Sequence, residues 1–96
     1  MAFVQIIDFR TSDIDGIKKS GEEWEAATEG KRTVRRQIVA QDRNDPSRYV
    51  IIVFFDSYES AVENSQLPET HASAEKFAAL TDEISFLDLD VIEERS

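Results

Sequence analysis

The chain has 96 residues, 41 % of them hydrophobic, and twenty acidic side chains against eleven Lys and Arg give a formal net charge of −9. A field of that sign repels phosphate backbones and anionic lipids, which argues against nucleic acid and membrane surfaces as partners. The absence of cysteine excludes disulfides, thiolate catalysis and cysteine-based zinc sites. We expect one cytoplasmic domain over residues 1–96, because the chain is too short for a second core and lacks a signal peptide or membrane span.

The N-terminal part of the chain predicts a strand followed by a helix. Phe3 to Phe9 (FVQIIDF) is rich in β-branched and aromatic residues and is apolar on both faces, as in a central strand. Thr11 or Ser12 is suited to cap the helix. Gly30 is suited to end it. Apolar residues recur at helical spacing between these limits, at Ile14, Ile17, Trp24 and Ala27.

The middle of the chain predicts a β-hairpin. Thr33 to Gln41 (TVRRQIVAQ) alternates in part between apolar and polar residues. Asp42 to Ser47 (DRNDPS) consists almost entirely of turn-forming residues. Tyr49 to Phe55 (YVIIVFF) is the most apolar run and, like the first strand, is apolar on both faces.

The C-terminal part predicts a broken helix and a last strand. Asp56 or Ser57 is placed to cap the helix, and Asp56 with Glu59 has the spacing of a capping box. Pro68 interrupts the helical pattern and is suited to begin a second helical run. Phe86 to Ile92 (FLDLDVI) alternates regularly, which predicts an edge strand.

The element order is typical of the ferredoxin-like βαββαβ fold of the α+β class. That fold has a four-stranded antiparallel sheet with its helices on one face. Right-handed crossovers place the first and third strands at the centre, and these are the two strands that are apolar on both faces. One apolar face of the sheet would then be exposed in a monomer, so we expect a homodimer formed through sheet faces.

With these features the chain resembles the dimeric α+β barrel superfamily, in the branch of antibiotic-biosynthesis-type monooxygenases. The resemblance is carried by FVQIIDF, DIDGIKKSGEEWEAATEGKR, RNDPSRYVIIVFF and SYESAVENSQLPETHASAEKF. The chain is most similar to small actinobacterial-type members of no established function, which share the pattern Tyr-Glu-x-Ala…Asn-Ser…Leu-Pro-Glu-Thr in the second helix. The resemblance implies a pocket between helices and sheet for an aromatic ligand or haem, often used without a metal or flavin.

The leading hypothesis is a small-ligand-binding homodimer, in its enzyme form a cofactor-independent monooxygenase acting on an aromatic substrate. His71 would be the catalytic base, because imidazole exchanges protons near neutral pH, and Glu75 follows one helical turn later to orient it. Asn64 and Tyr49 would orient the substrate, and Trp24 would line the pocket. No metal site is expected, because the chain has one histidine and no cysteine.

These residues also have structural interpretations, which support a non-catalytic interaction dimer as the alternative. His71 is suited to a surface position near a helix start, Asn64 to the end of a helix, and Trp24 to the core. A basic cluster is suited either to an anionic ligand or partner, or to a solvated edge strand; it comprises Lys31, Arg32, Arg35 and Arg36.

Haem binding or degradation is a further alternative. Haem-degrading relatives combine a helix-borne histidine, which His71 matches, with an asparagine on the first strand and a tryptophan before the histidine. Here Ala61 or Val62 stands near the tryptophan position, and the first strand has no asparagine.

Overall fold

A computed structural model describes residues 1–96 as three helices on one face of a four-stranded antiparallel sheet. The strand order is β2-β3-β1-β4. The predicted ferredoxin-like fold and the central position of the two doubly apolar strands are therefore confirmed. The elements are β1 (Phe3–Arg10), α1 (Ile14–Ala27), β2 (Arg36–Gln41), β3 (Arg48–Phe55), α2 (Tyr58–Ser65), α3 (Pro68–Leu80) and β4 (Asp82–Asp90).

The strand register sorts the side chains of the sheet onto two faces. Phe3 lies opposite Phe55 at one end of the β1–β3 pair, and Arg10 lies opposite Arg48 at the other. Side chains alternate between faces along a strand. Alternate residues of β3 are accordingly buried beneath the helices, and the residues between them are only half-buried on the opposite face. We call that opposite face the open face; its apolar side chains are Val4, Ile6, Ile38, Ala40, Val50, Ile52, Phe54, Leu87 and Leu89.

The core lies between the helices and the sheet. Phe9 is completely buried there, stacked on Tyr49 at 5.9 Å between ring centroids and edge-on to Phe77 of α3 at 4.9 Å. Aromatic pairs at these separations stabilise a core beyond the area that they bury. The buried apolar side chains are Phe3, Phe9, Ile17, Tyr49, Ile51, Val53 and Phe55.

The start of α1 differs from the prediction. Asp13, and neither Thr11 nor Ser12, is the N-cap, because its carboxylate accepts a hydrogen bond from the backbone N–H of Gly16 at 2.9 Å. Thr11 is buried, and its hydroxyl donates to the carbonyl oxygen of Leu80 at 2.6 Å. That hydroxyl fastens the end of β1 to the end of α3.

The broken second helix is confirmed, and Ser57 is the one of its two predicted caps that is used. The predicted Asp56–Glu59 capping box is wrong: Ser57 is the N-cap, and its hydroxyl and that of Ser60 each accept from the other's backbone N–H at 3.1 Å. Asp56 is instead paired with Arg35. α2 ends at Ser65, and α3 begins with proline in its first turn, where the missing N–H costs no hydrogen bond.

The two edge strands have bounds that alternation alone did not predict. β2 begins at Arg36, three residues after the predicted start, and β4 begins at Asp82, four residues before it. Glu83 has a φ of 53°, in the left-handed region, close to a register shift between β1 and β4. Its carboxylate accepts from Arg10 Nε at 2.6 Å, which ties the irregular start of β4 to β1. The longest helix, α1, has 14 residues, fewer than the roughly 20 that a membrane-spanning helix needs, and no helix qualifies as a membrane span.

Candidate functional site

His71 and Glu75, the expected base and its orienting carboxylate, both lie on the exposed side of α3. The small residues Ala74 and Ala78 on the same side of the helix are exposed as well. The half-buried side of α3 is formed by Thr70, Ser73, Phe77 and Leu80. Phe77 sets this rotation, because it is the large side chain that packs on Phe9.

Asn64 is buried at the end of α2, with 7 % of its surface exposed. Its Oδ1 accepts a hydrogen bond from the backbone N–H of Thr33 at 3.3 Å. The hydroxyl of Thr33 donates in turn to the carbonyl oxygen of Ser60. Asn64 therefore holds the segment before β2 against α2, and this explains why β2 begins only at Arg36.

Trp24 and Tyr49 occupy opposite ends of the helix-covered face. The half-buried Trp24 donates its indole Nε1–H to the hydroxyl of Thr70 at 3.0 Å and so joins α1 to α3. Tyr49 is buried against Phe9, and its hydroxyl accepts from Gln41 Nε2 at 3.3 Å. Tyr49 lies at the start of β3, whereas the loop held by Asn64 lies beside the end of that strand. At about 3.3 Å per residue, these two positions are roughly 20 Å apart.

Sequence reasoning missed a polar cluster where α1, the following loop and the α2–α3 junction meet. Lys31 Nζ donates to Glu69 Oε2 at 2.7 Å, and the Lys31 ammonium lowers the pKa of Glu69. Glu69 Oε1 is buried without a hydrogen-bond partner, which is unusual for a carboxylate oxygen. We call this cluster the polar corner; it comprises Trp24, Lys31, Thr33, Asn64, Glu69 and Thr70. The sequence feature that could have indicated this cluster is Glu69, an acidic residue directly after Pro68 in the first turn of a helix.

The basic cluster is distributed among separate intramolecular partners. Lys31 pairs with Glu69, and Arg35 pairs with Asp56. Arg32 donates to a carbonyl oxygen of α1 at 2.7 Å, and the Arg36 guanidinium lies over the ring of Phe54 at 5.5 Å. These four side chains therefore do not converge on one anion-binding position.

Two surface depressions lie away from the sheet. One, of about 290 Å³, is lined by Glu22, Glu25, Ala26, Glu29 and Arg32 on the outer side of α1. The other, of about 350 Å³, lies between α1 and α3 and is lined by Gly16, Lys19, Ser20, Glu23, Lys76, Ala79 and Leu80. The only hydrophobic residues that line them are Ala26 in the first depression and Ala79 and Leu80 in the second, and neither has the aromatic side chains that usually line a pocket for an aromatic ligand. No group of three or more acidic or histidine side chains is placed to hold a metal ion.

The fold is shared with solved structures of oxygenase-like proteins. SnoaB from Streptomyces nogalater, a cofactor-independent oxygenase, has a TM-score of 0.82 and 12 % identity over 97 % of this chain and 95 % of its own. A candidate antibiotic biosynthesis monooxygenase from Chloroflexus aurantiacus J-10-fl has a TM-score of 0.78 and 18 % identity over 100 % of this chain and 98 % of its own. A second candidate antibiotic biosynthesis monooxygenase, from Nitrosomonas europaea, has a TM-score of 0.78 and 12 % identity over 95 % of this chain and 90 % of its own.

The chain has the fold of the antibiotic-biosynthesis-monooxygenase-like α+β barrels. The structural resemblance predicted from the sequence is thus confirmed. No family model and no curated protein sequence matches the chain. At the identities of these neighbours the likeness concerns the backbone, so the roles of individual side chains must be argued from this chain itself.

Two features of this fold lie on opposite sides of the sheet. The polar corner belongs to the helix layer, and the open face lies behind it. A partner packed on the open face would therefore leave the polar corner accessible. The two features can be tested separately.

Proposed function

We propose that this protein functions as a homodimer in which the open face of one protomer packs on the open face of a second. The observation that carries the proposal is that apolar side chains from all four strands lie on a face that no element of the chain covers. Leu87 and Leu89, for example, are 54 % and 38 % exposed. Soluble monomers rarely leave so continuous an apolar surface in water.

The size of the open face suits a second copy of the chain. Four strands about 4.8 Å apart, each about eight residues long at about 3.3 Å per residue, give a flat outline on the order of 500 Å². Projecting side chains raise the accessible area above that outline, toward the roughly 800 Å² per partner of a standard interface. The protomer measures 35 × 31 × 20 Å, and its smallest dimension is the thickness of one sheet and one helix layer. A second protomer would place both sheets in the interior of the assembly.

The neighbouring residues Ile38 and Val39 give a matched test. Ile38 lies on the open face opposite Ile52, whereas Val39 points to the helix side and is 46 % exposed. We expect Ile38→Asp to be a monomer in sedimentation velocity at concentrations where the wild type is a dimer, because it would place a carboxylate inside the interface. Val39→Asp should remain a dimer. A wild-type monomer at micromolar concentration would refute the homodimer.

The second candidate function is oxygenation of a small electron-rich aromatic, without a cofactor, on the helix side. It is favoured by the shared fold with SnoaB and by the polar corner, where the Asn64 amide and the Trp24 indole could orient a ligand. In such a reaction a base removes a proton from the activated ring. The resulting anion transfers electrons to O₂, and a ring CH₂ becomes C=O while the second oxygen atom leaves as water.

The roles of the remaining residues in that reaction stay predictions. His71 as base and Glu75 as its partner face solvent, so they would act on a ligand bound along the outer side of α3. Tyr49 would orient a substrate only at the far end of the sheet from Asn64. The interaction dimer therefore has the more direct support, and the oxygenase reaction is a function that such a dimer could carry.

Ligand binding is testable through Trp24, the sole tryptophan of the chain. We expect an anthrone, whose central ring carries such a CH₂ group, to change the fluorescence of Trp24 on titration, and an oxygen electrode to record O₂ uptake. Asn64→Ala should reduce both signals, and Asn44→Ala, in the exposed hairpin loop, is the control. If no compound in a panel of anthrones gives a signal in either assay, the oxygenase function is ruled out. If His71→Ala turns the substrate over at an unchanged rate, His71 is not the base.

Titration of the purified protein with haem tests the haem alternative. Haem coordinated by His71 would shift its Soret band during titration. The absence of a shift would remove haem from consideration.

A further inference from the structure

One end of the open face is ionic, whereas most of its remainder is apolar; the exception is Arg36 at the opposite end, whose guanidinium lies over the Phe54 ring. Asp8 and Arg48 are diagonal neighbours on β1 and β3, with Asp8 opposite Val50 and Arg48 opposite Arg10. Both side chains lie on the open face, because they alternate with residues that point toward the helices. We call this region the ionic end; it comprises Asp8, Arg10, Asp42, Asp45, Arg48 and Glu83.

The ionic end consists of two adjacent sets of ion pairs, one centred on Arg48 and the other on Arg10. Arg48 binds Asp8 with two nitrogen atoms, the Nε–Oδ1 distance being 3.0 Å, and its Nη1 lies 3.6 Å from Asp42. Arg10 contacts both Asp45 and Glu83. A bidentate guanidinium–carboxylate pair has a fixed geometry as well as charge. The Asp8–Arg48 pair therefore has a fixed geometry before any partner arrives.

The position of this pair matters because an apolar sheet face is a poor determinant of register. Two such faces can slide or rotate on each other and still bury similar area, since burial of apolar surface has no direction. Charged side chains remove that freedom. An arrangement that places the Asp8–Arg48 pair beneath the apolar side chains of the partner must desolvate both ions, and that desolvation can exceed the attraction between them.

We propose that the ionic end, through the Asp8–Arg48 pair, determines the register in which a second copy of the chain docks on the open face. The pair excludes every arrangement that would cover it with the partner's apolar surface and leaves the one in which it stays at the solvated rim. This inference rests on the proposed homodimer and adds to it the residues that select one geometry.

The absence of native cysteine makes the register measurable, because one introduced cysteine takes a single spin label. Glu59→Cys on the exposed side of α2 gives one inter-protomer distance in a symmetric dimer. With Asp8 and Arg48 intact, pulsed electron paramagnetic resonance should give one narrow distance distribution. Asp8→Val with Arg48→Leu replaces this ion pair by apolar side chains, and we expect the distribution to broaden at least about twofold or to split.

The control is an ion pair of similar type on the helix side. Lys76 Nζ lies 3.3 Å from Glu23, and Glu23→Val with Lys76→Leu should leave the distribution narrow. Circular dichroism melts of all variants establish that each is folded. An equally narrow distribution at the same distance in the Asp8→Val, Arg48→Leu variant overturns the inference while the homodimer stands. If the parent protein shows no inter-protomer distance at all, the homodimer and this inference fail together.

Discussion

The hydrogen bond from Trp24 to Thr70 offers a quantitative test of how the helix layer is joined. The indole Nε1–H lies 3.0 Å from the Thr70 hydroxyl, in a half-buried setting between α1 and α3. A hydrogen bond of this kind stabilises a fold by about 0.5–1.5 kcal/mol net. Trp24→Phe and Thr70→Val each remove one partner, and the double variant removes both.

We expect the free energy of unfolding to show a coupling of about 1 kcal/mol between the two substitutions. Each single variant leaves a half-buried polar group unpaired or loses packing, so its loss should be at least as large as the coupling. For a chain of this length, 1 kcal/mol corresponds to a shift in Tm of about 4–8 °C. Urea unfolding followed by circular dichroism at one fixed protein concentration is the appropriate assay, since Trp24→Phe removes the fluorophore.

Ser73→Ala provides the control for this cycle. Ser73 is half-buried on the same helix and makes no hydrogen bond to Trp24, so its effect should add to that of Trp24→Phe. A coupling of less than about 0.3 kcal/mol between Trp24 and Thr70 would mean that the substitutions act independently. The helices would then be held together by packing alone.

Three further outcomes follow from other parts of the molecule. Phe9→Ala should lower the free energy of unfolding by about 3–5 kcal/mol in urea titrations, because it empties the centre of the core, and a loss below about 1 kcal/mol would contradict the packing described. Hydrogen bonds from Arg48 lower the pKa of Asp8, so this carboxylate stabilises the fold above its ordinary pKa of about 3.8 and loses that contribution as the pH falls through the lowered value. Tm measured from pH 6 to pH 2.5 should therefore fall less steeply in Asp8→Asn, and identical slopes would contradict the pairing. Two protomers of charge −9 repel each other, so the homodimer should tighten as salt rises from about 0.02 to about 0.2 M in equilibrium sedimentation.

The sheet could be predicted from the sequence because its central strands are distinguishable by local pattern. A strand that is apolar on both faces, such as Tyr49 to Phe55, belongs in the middle of a sheet whichever residues flank it. The break before Pro68 was equally predictable, because proline restricts its own backbone and that of the residue before it. Both signals act within a few residues.

The remaining features depend on contacts between distant parts of the chain. Thr11 could not be excluded as a helix cap, because the carbonyl oxygen that takes its hydroxyl belongs to Leu80. The exposed position of His71 was hidden for a similar reason. Helical periodicity shows which residues share a side of α3, but the side that meets the sheet is set by Phe77 packing on Phe9. The polar corner likewise requires three separate segments to meet.

Hydrogen bonds hold α3 near both of its ends, and this arrangement affects the mobility of the helix. The helix is tied near one end by Thr70 to Trp24 and at the other end by the carbonyl oxygen of Leu80 to Thr11, yet no residue along its length is fully buried. Local opening is least costly where few apolar contacts must be broken. We therefore expect backbone amides in the middle of α3 to exchange with solvent faster than those of β1 and β3.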